Sequence, residues 1–246
     1  MEKKWFFETE AEQKKKFVRS MFNNISDSYD LMNRLMSFGI DLYWRKKTIT
    51  RLLDNKNMKL VLDLACGTGD LTWGLLKKNN NASVVMADFS ENMLLNVRKR
   101  KGFEYHKNAV MLCQADGEVL PFDDEKFDGA MIAFGIRNIP DPAKALSEFY
   151  RTLKKGGRLV ILEITTSPYK WFDILYRFYF HKIVPVLGSI VSGNRKAYAY
   201  LPQSVDYFIK PDAMVQMMEK VGFTNIQVNS LTLGSVHLYS GEKNVE

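Results

Sequence analysis

The feature that most constrains the fold is an alternation that begins near residue 59. Apolar runs fall near 60–65, 83–88, 109–114, 127–135 and 157–165, with stretches of helical composition near 70–79, 90–101 and 141–154 between them. Strands alternating with helices imply βαβ units, right-handed crossovers and a parallel sheet covered on both faces. The first run lies in VLDLACGTGD, residues 61–70, and enters a loop containing Gly67 and Gly69 before a helix expected from Asp70. A missing Cβ permits backbone angles and close approach that other residues forbid. The junction between strand and helix is also where such sheets bind ligands. KKGGRL, after the helix ending near 154, reads as a stop signal with lysines in the last turn and glycines at the cap. PDAMVQMMEKVGF reads as a further helix, and two last strands near 223–230 and 235–240 read as a hairpin.

The loop narrows the ligand. A dinucleotide fingerprint needs G-x-G-x-x-G so that a helix N-terminus faces a pyrophosphate. Here the spacing is Ala65-x-Gly67-x-Gly69, with Asp70 in the first helical turn and Asp63 inside the strand. Negative charge there repels phosphate and suits a cation, and S-adenosylmethionine carries a sulfonium and no phosphate. The second run, SVVMADFSENML, ends in Asp88, 19 residues after Gly69, with Ser90 as a helix cap. A carboxylate in that place accepts hydrogen bonds from both ribose hydroxyls. The expected fold class is therefore α/β: a class I S-adenosylmethionine-dependent methyltransferase, Rossmann-like, with a seven-stranded, mostly parallel sheet. Expected cofactor residues are Asp63, Gly67, Thr68, Gly69, Asp88, Phe89, Met93, Asp116, Gly117 and Ala133, with Asp116 or the Gly117 amide at the adenine edge.

Length suits one domain: an N-terminal helical arm at 1–58, a cofactor-binding core at 59–167, a helical lid insertion at 168–210, and a C-terminal helix and hairpin at 211–246. Met1 to Lys16 is charged throughout, unlike a secretory leader, and no run of about 18 apolar residues occurs, so a cytoplasmic protein is expected. Two cysteines make neither a disulfide framework nor a metal site. The net charge of +7 is local: residues 1–60 carry 13 basic against 8 acidic side chains and residues 168–210 carry 6 against 2, whereas the core is balanced. That pattern argues for one basic surface rather than nucleic-acid binding.

The insertion is unusual. In YKWFDILYRFYFHKIVPVLG, Lys170, Asp173, Arg177 and His181 form one narrow polar stripe, and nearly everything else is aromatic or aliphatic. Such a helix packs as a lid, lines an apolar tunnel or rests on a membrane.

Almost the whole chain resembles the C-methyltransferases of menaquinone and ubiquinone biosynthesis. The resemblance is carried by VRSMFNNISDSYDLMNRLMSFGIDLYWR, VLDLACGTGDLT, ADFSENML, QADGEVLPFDDEKFD, AFGIRNIPDPAKAL, EIT and AYAYLPQSV. It implies methylation of a ring carbon of a polyprenyl hydroquinone, demethylmenaquinol first, with a benzoquinol or another small apolar aromatic as the alternative. Ala133 departs from family members that carry a small hydroxyl residue there, so any cofactor contact is apolar or made by backbone.

The residues agree with this chemistry. The chain lacks the Asn/Asp-Pro-Pro-Tyr/Phe motif of base N-methylation, a cysteine placed for cytosine attack, and a metal-ligand cluster. A hydroquinone carbon becomes nucleophilic when its hydroxyl is ionised, so a protein must hold that oxyanion. Arg137 is the expected electrostatic partner, against the alternative of a loop ion pair with Asp141. Asn138 is expected at the same oxygen or an intervening water, and Tyr29 is expected to close the site from the arm. Tyr198 and Tyr200 are the expected substrate-facing lid residues, and His106 and His237 are expected to be structural or solvated. Reversible contact with the anionic inner face of the cytoplasmic membrane is expected, no nucleic acid is, and a homodimer is left open.

Overall fold

A computed structural model describes residues 11–245; the first ten residues of the expected arm, and Glu246, lie outside the described residues. Among the described residues, three helices precede the sheet: α1 (Ala11–Ile25), α2 (Tyr29–Ser37) and α3 (Ile40–Leu53). The alternating unit follows as β1 (Leu60–Leu64), α4 (Asp70–Lys78), β2 (Ser83–Asp88), α5 (Glu91–Lys99), α6 (Lys101–His106) and β3 (Val110–Gln114). Then come β4 (Phe127–Ala133), a 3-10 turn at Ile136–Asn138, α7 (Pro142–Thr152) and β5 (Leu153–Ile164). The insertion holds α8 (Lys170–Phe178), α9 (Val184–Ser192) and α10 (Arg195–Asp206), and α11 (Pro211–Val221), β6 (Phe223–Leu231) and β7 (Val236–Lys243) complete the chain.

The seven strands run in the order β3-β2-β1-β4-β5-β7-β6. The first five are parallel, and β7 is antiparallel to both β5 and β6. The order reverses between β1 and β4, so a crevice opens at their C-terminal ends. Successive residues of β1 explain why helices cover both faces: Val61 joins the core beneath α4, and Leu62 joins the core beneath α7. Among the described residues, side-chain caps set three helix starts, one cap being Asn194, which accepts from the Ala197 amide ahead of α10. Ser90 accepts from the Met93 amide, and Asp141 accepts from the Ala143 and Lys144 amides, with Pro142 opening α7.

One expectation needs correction. In KKGGRL the lysines belong to β5 and not to the last turn of α7, which ends at Thr152. Lys154 instead pairs with Asp128 at 2.8 Å, beside a register shift between Phe127 and Gly129 that lets β5 start immediately after the helix. The insertion also contains a continuous helix, Lys170–Ser192, long and apolar enough by length and composition to cross a membrane. A π-helical turn at Tyr179–Ile183 interrupts it, and Phe180, Val184, Pro185 and Gly188 turn inward.

Those inward residues meet the arm. Val18, Met21, Ile25 and Met32 pack with Phe180, Val184, Ala197, Tyr198 and Tyr200 as a third apolar core, separate from the two on the sheet. Arm and insertion thus bury each other. The contact requires Gly188 on α9, because a Cβ there would lie 2.2 Å from the ring of Tyr198. Gly188→Ala is therefore expected to lower the Tm. Overpacking costs about 1–3 kcal/mol, and better helix propensity returns only about 1 kcal/mol. A Tm at or above that of the unmodified chain would show that the Tyr198 ring is not fixed by this contact.

Candidate active site

Two cavities meet where β1 and β4 end. The smaller, about 80 Å³, is lined by Gly67, Asp88, Phe89, Met93, Asp116 and Gly117, with Ala133 on its wall. The larger, about 370 Å³, lies beneath the third core and reaches Arg137, Asn138, Tyr198 and Tyr200. Tyr29, Phe22, Phe134 and Asn138 line both. Most of the expected cofactor and substrate residues therefore line two adjoining chambers, with Tyr29 at the boundary. A Cβ on Gly67 would stand 3.4 Å from the Tyr29 ring, so the glycine loop and the arm touch there.

In the smaller chamber Asp88 is the central polar group. Its Oδ2 accepts from the Gly67 amide and its Oδ1 from the Ser90 amide, both at 2.8 Å. Burial pushes its carboxyl up to about 6, against the pull of those amides. Asp116 accepts from the Glu118 amide through Oδ1, and Lys15 of α1 reaches its Oδ2 at 2.5 Å. Lys15 also reaches Glu118 at 2.7 Å, and the Lys14 ammonium donates to the carbonyls of Arg137 and Ile139. The arm is thereby pinned across the chamber.

Three expected cofactor residues do not line the chamber. Asp63 is buried and accepts from Thr72 Oγ1 at 2.6 Å, its carboxyl pushed up to about 7 by burial. Thr68 donates to Asp30 of α2 at 2.5 Å. Gly69 is needed for packing: at φ 93° it lies in the left-handed region, and a Cβ would sit 2.6 Å from Met86 and 2.8 Å from Trp73. Asp70 does not line the chamber either. Arg34 and Arg100 each bridge it at 2.5 Å, and Arg45 stands beside it. Burial works against its ionisation, but these guanidinium groups outweigh it and hold the carboxyl below its ordinary range. The acidity of the glycine loop thus ties down the arm, and Asp88 and Asp116 are the carboxylates that face the chamber.

In the larger chamber Arg137 is buried, and its partner is not Asp141, which caps α7. The guanidinium pairs with Glu163 of β5, Nη1 to Oε1 at 2.5 Å. Nη1 also donates to the Phe134 carbonyl at 2.7 Å and Nε to Ser204 of α10 at 3.2 Å. Nη2 makes none of these bonds, so one arm of the fork is unassigned. Burial raises the Glu163 carboxyl and Arg137 opposes that rise. Phe134 has φ 58°, uncommon for an aromatic residue and a store of backbone strain. Its carbonyl also accepts from Asn138 Nδ2 at 3.2 Å. Tyr200 donates to Asn138 Oδ1 at 3.2 Å, and burial pushes the Tyr200 hydroxyl up to about 12. Glu163 sits in the EIT motif, yet nothing in the sequence pairs it with a residue 26 positions earlier. Among the histidines, His237 shares a 2.7 Å hydrogen bond with Thr165, His106 stacks on Trp73, and His181 pairs with Asp206.

Comparison with known proteins agrees with this geometry. The ubiE/COQ5 methyltransferase family model matches residues 8–243. The demethylmenaquinone methyltransferase of Thermus thermophilus is 44% identical over 91% of this chain and 100% of its own length. The ubiquinone/menaquinone biosynthesis C-methyltransferase UbiE of Rickettsia akari is 38% identical over 97% of each. Among solved structures, an S-adenosylmethionine-dependent methyltransferase of Thermotoga maritima aligns with a TM-score of 0.62 at 20% identity, covering 92% of this chain and 100% of that one. A phosphoethanolamine N-methyltransferase of Haemonchus contortus aligns with a TM-score of 0.60 at 18% identity, covering 81% of this chain and 52% of that one. These likenesses show the class I fold. The two-chambered chain belongs to the ubiE/COQ5 methyltransferase family, whose members are S-adenosylmethionine-dependent C-methyltransferases of quinone biosynthesis.

Proposed function

We propose that the chain methylates a ring carbon of demethylmenaquinol, with S-adenosylmethionine in the smaller chamber and the quinol ring in the larger. The observation that carries this reading is the pairing of an almost wholly apolar chamber with one buried guanidinium fork whose Nη2 is unassigned. The relative most similar in name to this reading is the Thermus enzyme, a demethylmenaquinone methyltransferase.

The residues fit the cofactor. Asp88 holds both ribose hydroxyls, and Phe89 and Met93 pack against the adenine. Asp116 or the Gly117 amide reads the adenine edge. Ala133 gives an apolar wall. Asp63, Thr68 and Gly69 shape the loop from behind. S-adenosylmethionine supplies an activated sulfonium methyl. Arg137 then holds the ring oxygen as it loses its proton, which spreads negative charge onto the neighbouring carbon. Its guanidinium stays charged, so it stabilises the oxyanion while the proton passes to water or another group. Asn138, fixed by Phe134 and Tyr200, positions the same oxygen, and Tyr29 separates the chambers from the arm side.

Two outcomes test these assignments. Asp88→Ala should weaken cofactor binding by about 1–3 kcal/mol, the scale of hydrogen bonds to a charged acceptor. Because ribose hydroxyls donate to the ionised form, binding draws the raised Asp88 pKa down again. Affinity should therefore fall as the pH drops through about 6. Calorimetry showing the same affinity in the variant, or no loss below that pH, contradicts the placement. Arg137→Leu should keep cofactor affinity near that of the unmodified chain while lowering kcat about 10²-fold or more on a saturating quinol. Full turnover would assign Arg137 to structure alone.

We further infer that the protein docks reversibly on the inner face of the cytoplasmic membrane, where such a substrate dissolves. Trp171, Ile174, Leu175 and Phe178 of α8 are exposed, as are Val186 and Ile190 of α9. The α2–α3 turn adds Leu35, Phe38 and Ile40, with Phe38 79% exposed and its ring 5.7 Å from that of Tyr179. This apolar ridge surrounds the mouth of the larger chamber, since Phe38, Ile40 and Leu175 also line it. Some of the basic excess lies inside, as Lys15, Arg34 and Arg45 show, but Lys46, Lys47, Lys170, Lys182, Arg195 and Lys196 stay exposed. Each basic side chain near an anionic surface contributes about 1 kcal/mol, screened by salt. Co-sedimentation should need anionic liposomes, decline with salt, and weaken in Trp171→Ser and Phe178→Ser. Phe172 lines the chamber instead, so its replacement would test a different property. Protein that stays in the supernatant with anionic liposomes at low salt contradicts docking.

A further inference from the structure

Arg137 and Asn138 stand on the 3-10 turn Ile136–Asn138, just beyond the end of β4. A single turn of this kind is weak by itself. Its own hydrogen bonds run from the Asn138 amide to the Gly135 carbonyl at 3.0 Å and from the Ile139 amide to the Ile136 carbonyl at 3.2 Å. Side chains that must meet a reacting ring with sub-ångström precision therefore need support from outside the turn.

That support comes from the arm and the insertion as well as from Glu163. The Lys14 ammonium of α1 donates to the Arg137 and Ile139 carbonyls, each at 3.3 Å, and so grips the main chain on both sides of Asn138. A lysine ordinarily keeps its ammonium in water. Here burial lowers its pKa, with Glu118 working against that shift, so the group sits at the turn despite a desolvation cost. Ser204 of α10 accepts from Arg137 Nε at 3.2 Å. Its own hydroxyl donates to the Leu201 carbonyl at 2.7 Å, which turns a lone pair toward the guanidinium. Tyr200, four residues earlier on the same helical face, donates to Asn138. The Tyr200 ring also meets Phe17 of α1 edge-on at 5.4 Å, one turn beyond Lys14. The arm and α10 thus reach the turn as one packed body.

We propose that Lys14 and Ser204 are positioning residues for methyl transfer: Lys14 fixes the main chain that carries Arg137, and Ser204 fixes the tilt of its guanidinium plane. The inference rests on the quinol reading above. Neither residue lines either chamber, so both act through Arg137 and not on the ring or the cofactor. Packing of the arm on the insertion then does two things at once. It walls the larger chamber, and it aligns the group that stabilises the oxyanion. Loss of either contact leaves both ligands their surfaces but lets the fork drift from the ring oxygen, which lowers turnover more than binding.

The test measures kcat and KM on a short-chain naphthohydroquinone. Lys14→Met and Ser204→Ala should each lower kcat about tenfold, the scale of one hydrogen bond involving a charged group, with KM and cofactor affinity little changed. Lys14→Arg keeps a cation at the two carbonyls and should recover most of the loss. The deciding measurement repeats both substitutions in Arg137→Leu, where each should cost less than about twofold because the group it positions is gone. Equal losses with and without Arg137, or no loss when Arg137 is present, would overturn the proposal while leaving the quinol reading intact. Calorimetry with the cofactor shows whether each variant is folded. Ser204→Ala removes a single oxygen atom and decides the matter alone if Lys14→Met does not fold. Failure of the unmodified chain to methylate the ring would instead overturn the quinol reading and this inference with it.

Discussion

The site is organised around one buried ion pair. A phenolate in an apolar chamber needs a cation, and a lone cation in that chamber would itself be strongly disfavoured. Glu163, at the end of β5, resolves this by pairing with Arg137 without entering the chamber, while Phe134 and Ser204 hold the same guanidinium. The arrangement draws on β4, β5 and α10, so the core and the insertion must both be in place before Arg137 is fixed. The left-handed backbone at Phe134 follows from the same need, since its carbonyl is what Arg137 and Asn138 share.

The second constraint is that arm and insertion are each incomplete alone. The apolar side of α1 and α2 is covered by α9 and α10, and the larger chamber is the space that remains beneath them. Charge directs the same assembly from the cofactor side. Asp30, Asp41 and Asp70 gather Arg34, Arg45 and Arg100, tying α2 and α3 to the glycine loop and to the start of α6. These two sets of contacts leave two adjoining chambers, both lined mainly by apolar surface, on either side of Tyr29.

Much of the core was legible because its signals are local. The apolar runs, the Ser90 cap and the position of Asp88 at the end of the second strand depend on spacing alone, and the strands and the cap lie where spacing puts them. Side-chain direction was less legible. Asp63, Thr68 and Asp70 are adjacent to the ligand in sequence but bond to Thr72, Asp30 and arginines of the arm and of the α5–α6 junction, because tertiary partners decide where a carboxylate or hydroxyl points. Glu163 had no signal of its own: a buried acid inside an apolar strand becomes interpretable only when Arg137 is seen beside it. The shared core of arm and insertion was hidden for the same reason, since its halves are separated by the whole cofactor-binding unit.

The central claim is that the larger chamber stabilises an ionised ring oxygen, and the bound ring itself can report on it. Burial in an apolar chamber raises the pKa of a phenolic hydroxyl, whereas a guanidinium placed on that oxygen lowers it. The two effects have opposite signs. An absorbance titration of a short-chain naphthohydroquinone bound to the protein, with S-adenosylhomocysteine present to prevent turnover, therefore decides between them. The account predicts ionisation about one to three units below the free value. A bound hydroxyl that titrates at or above its free value would contradict it.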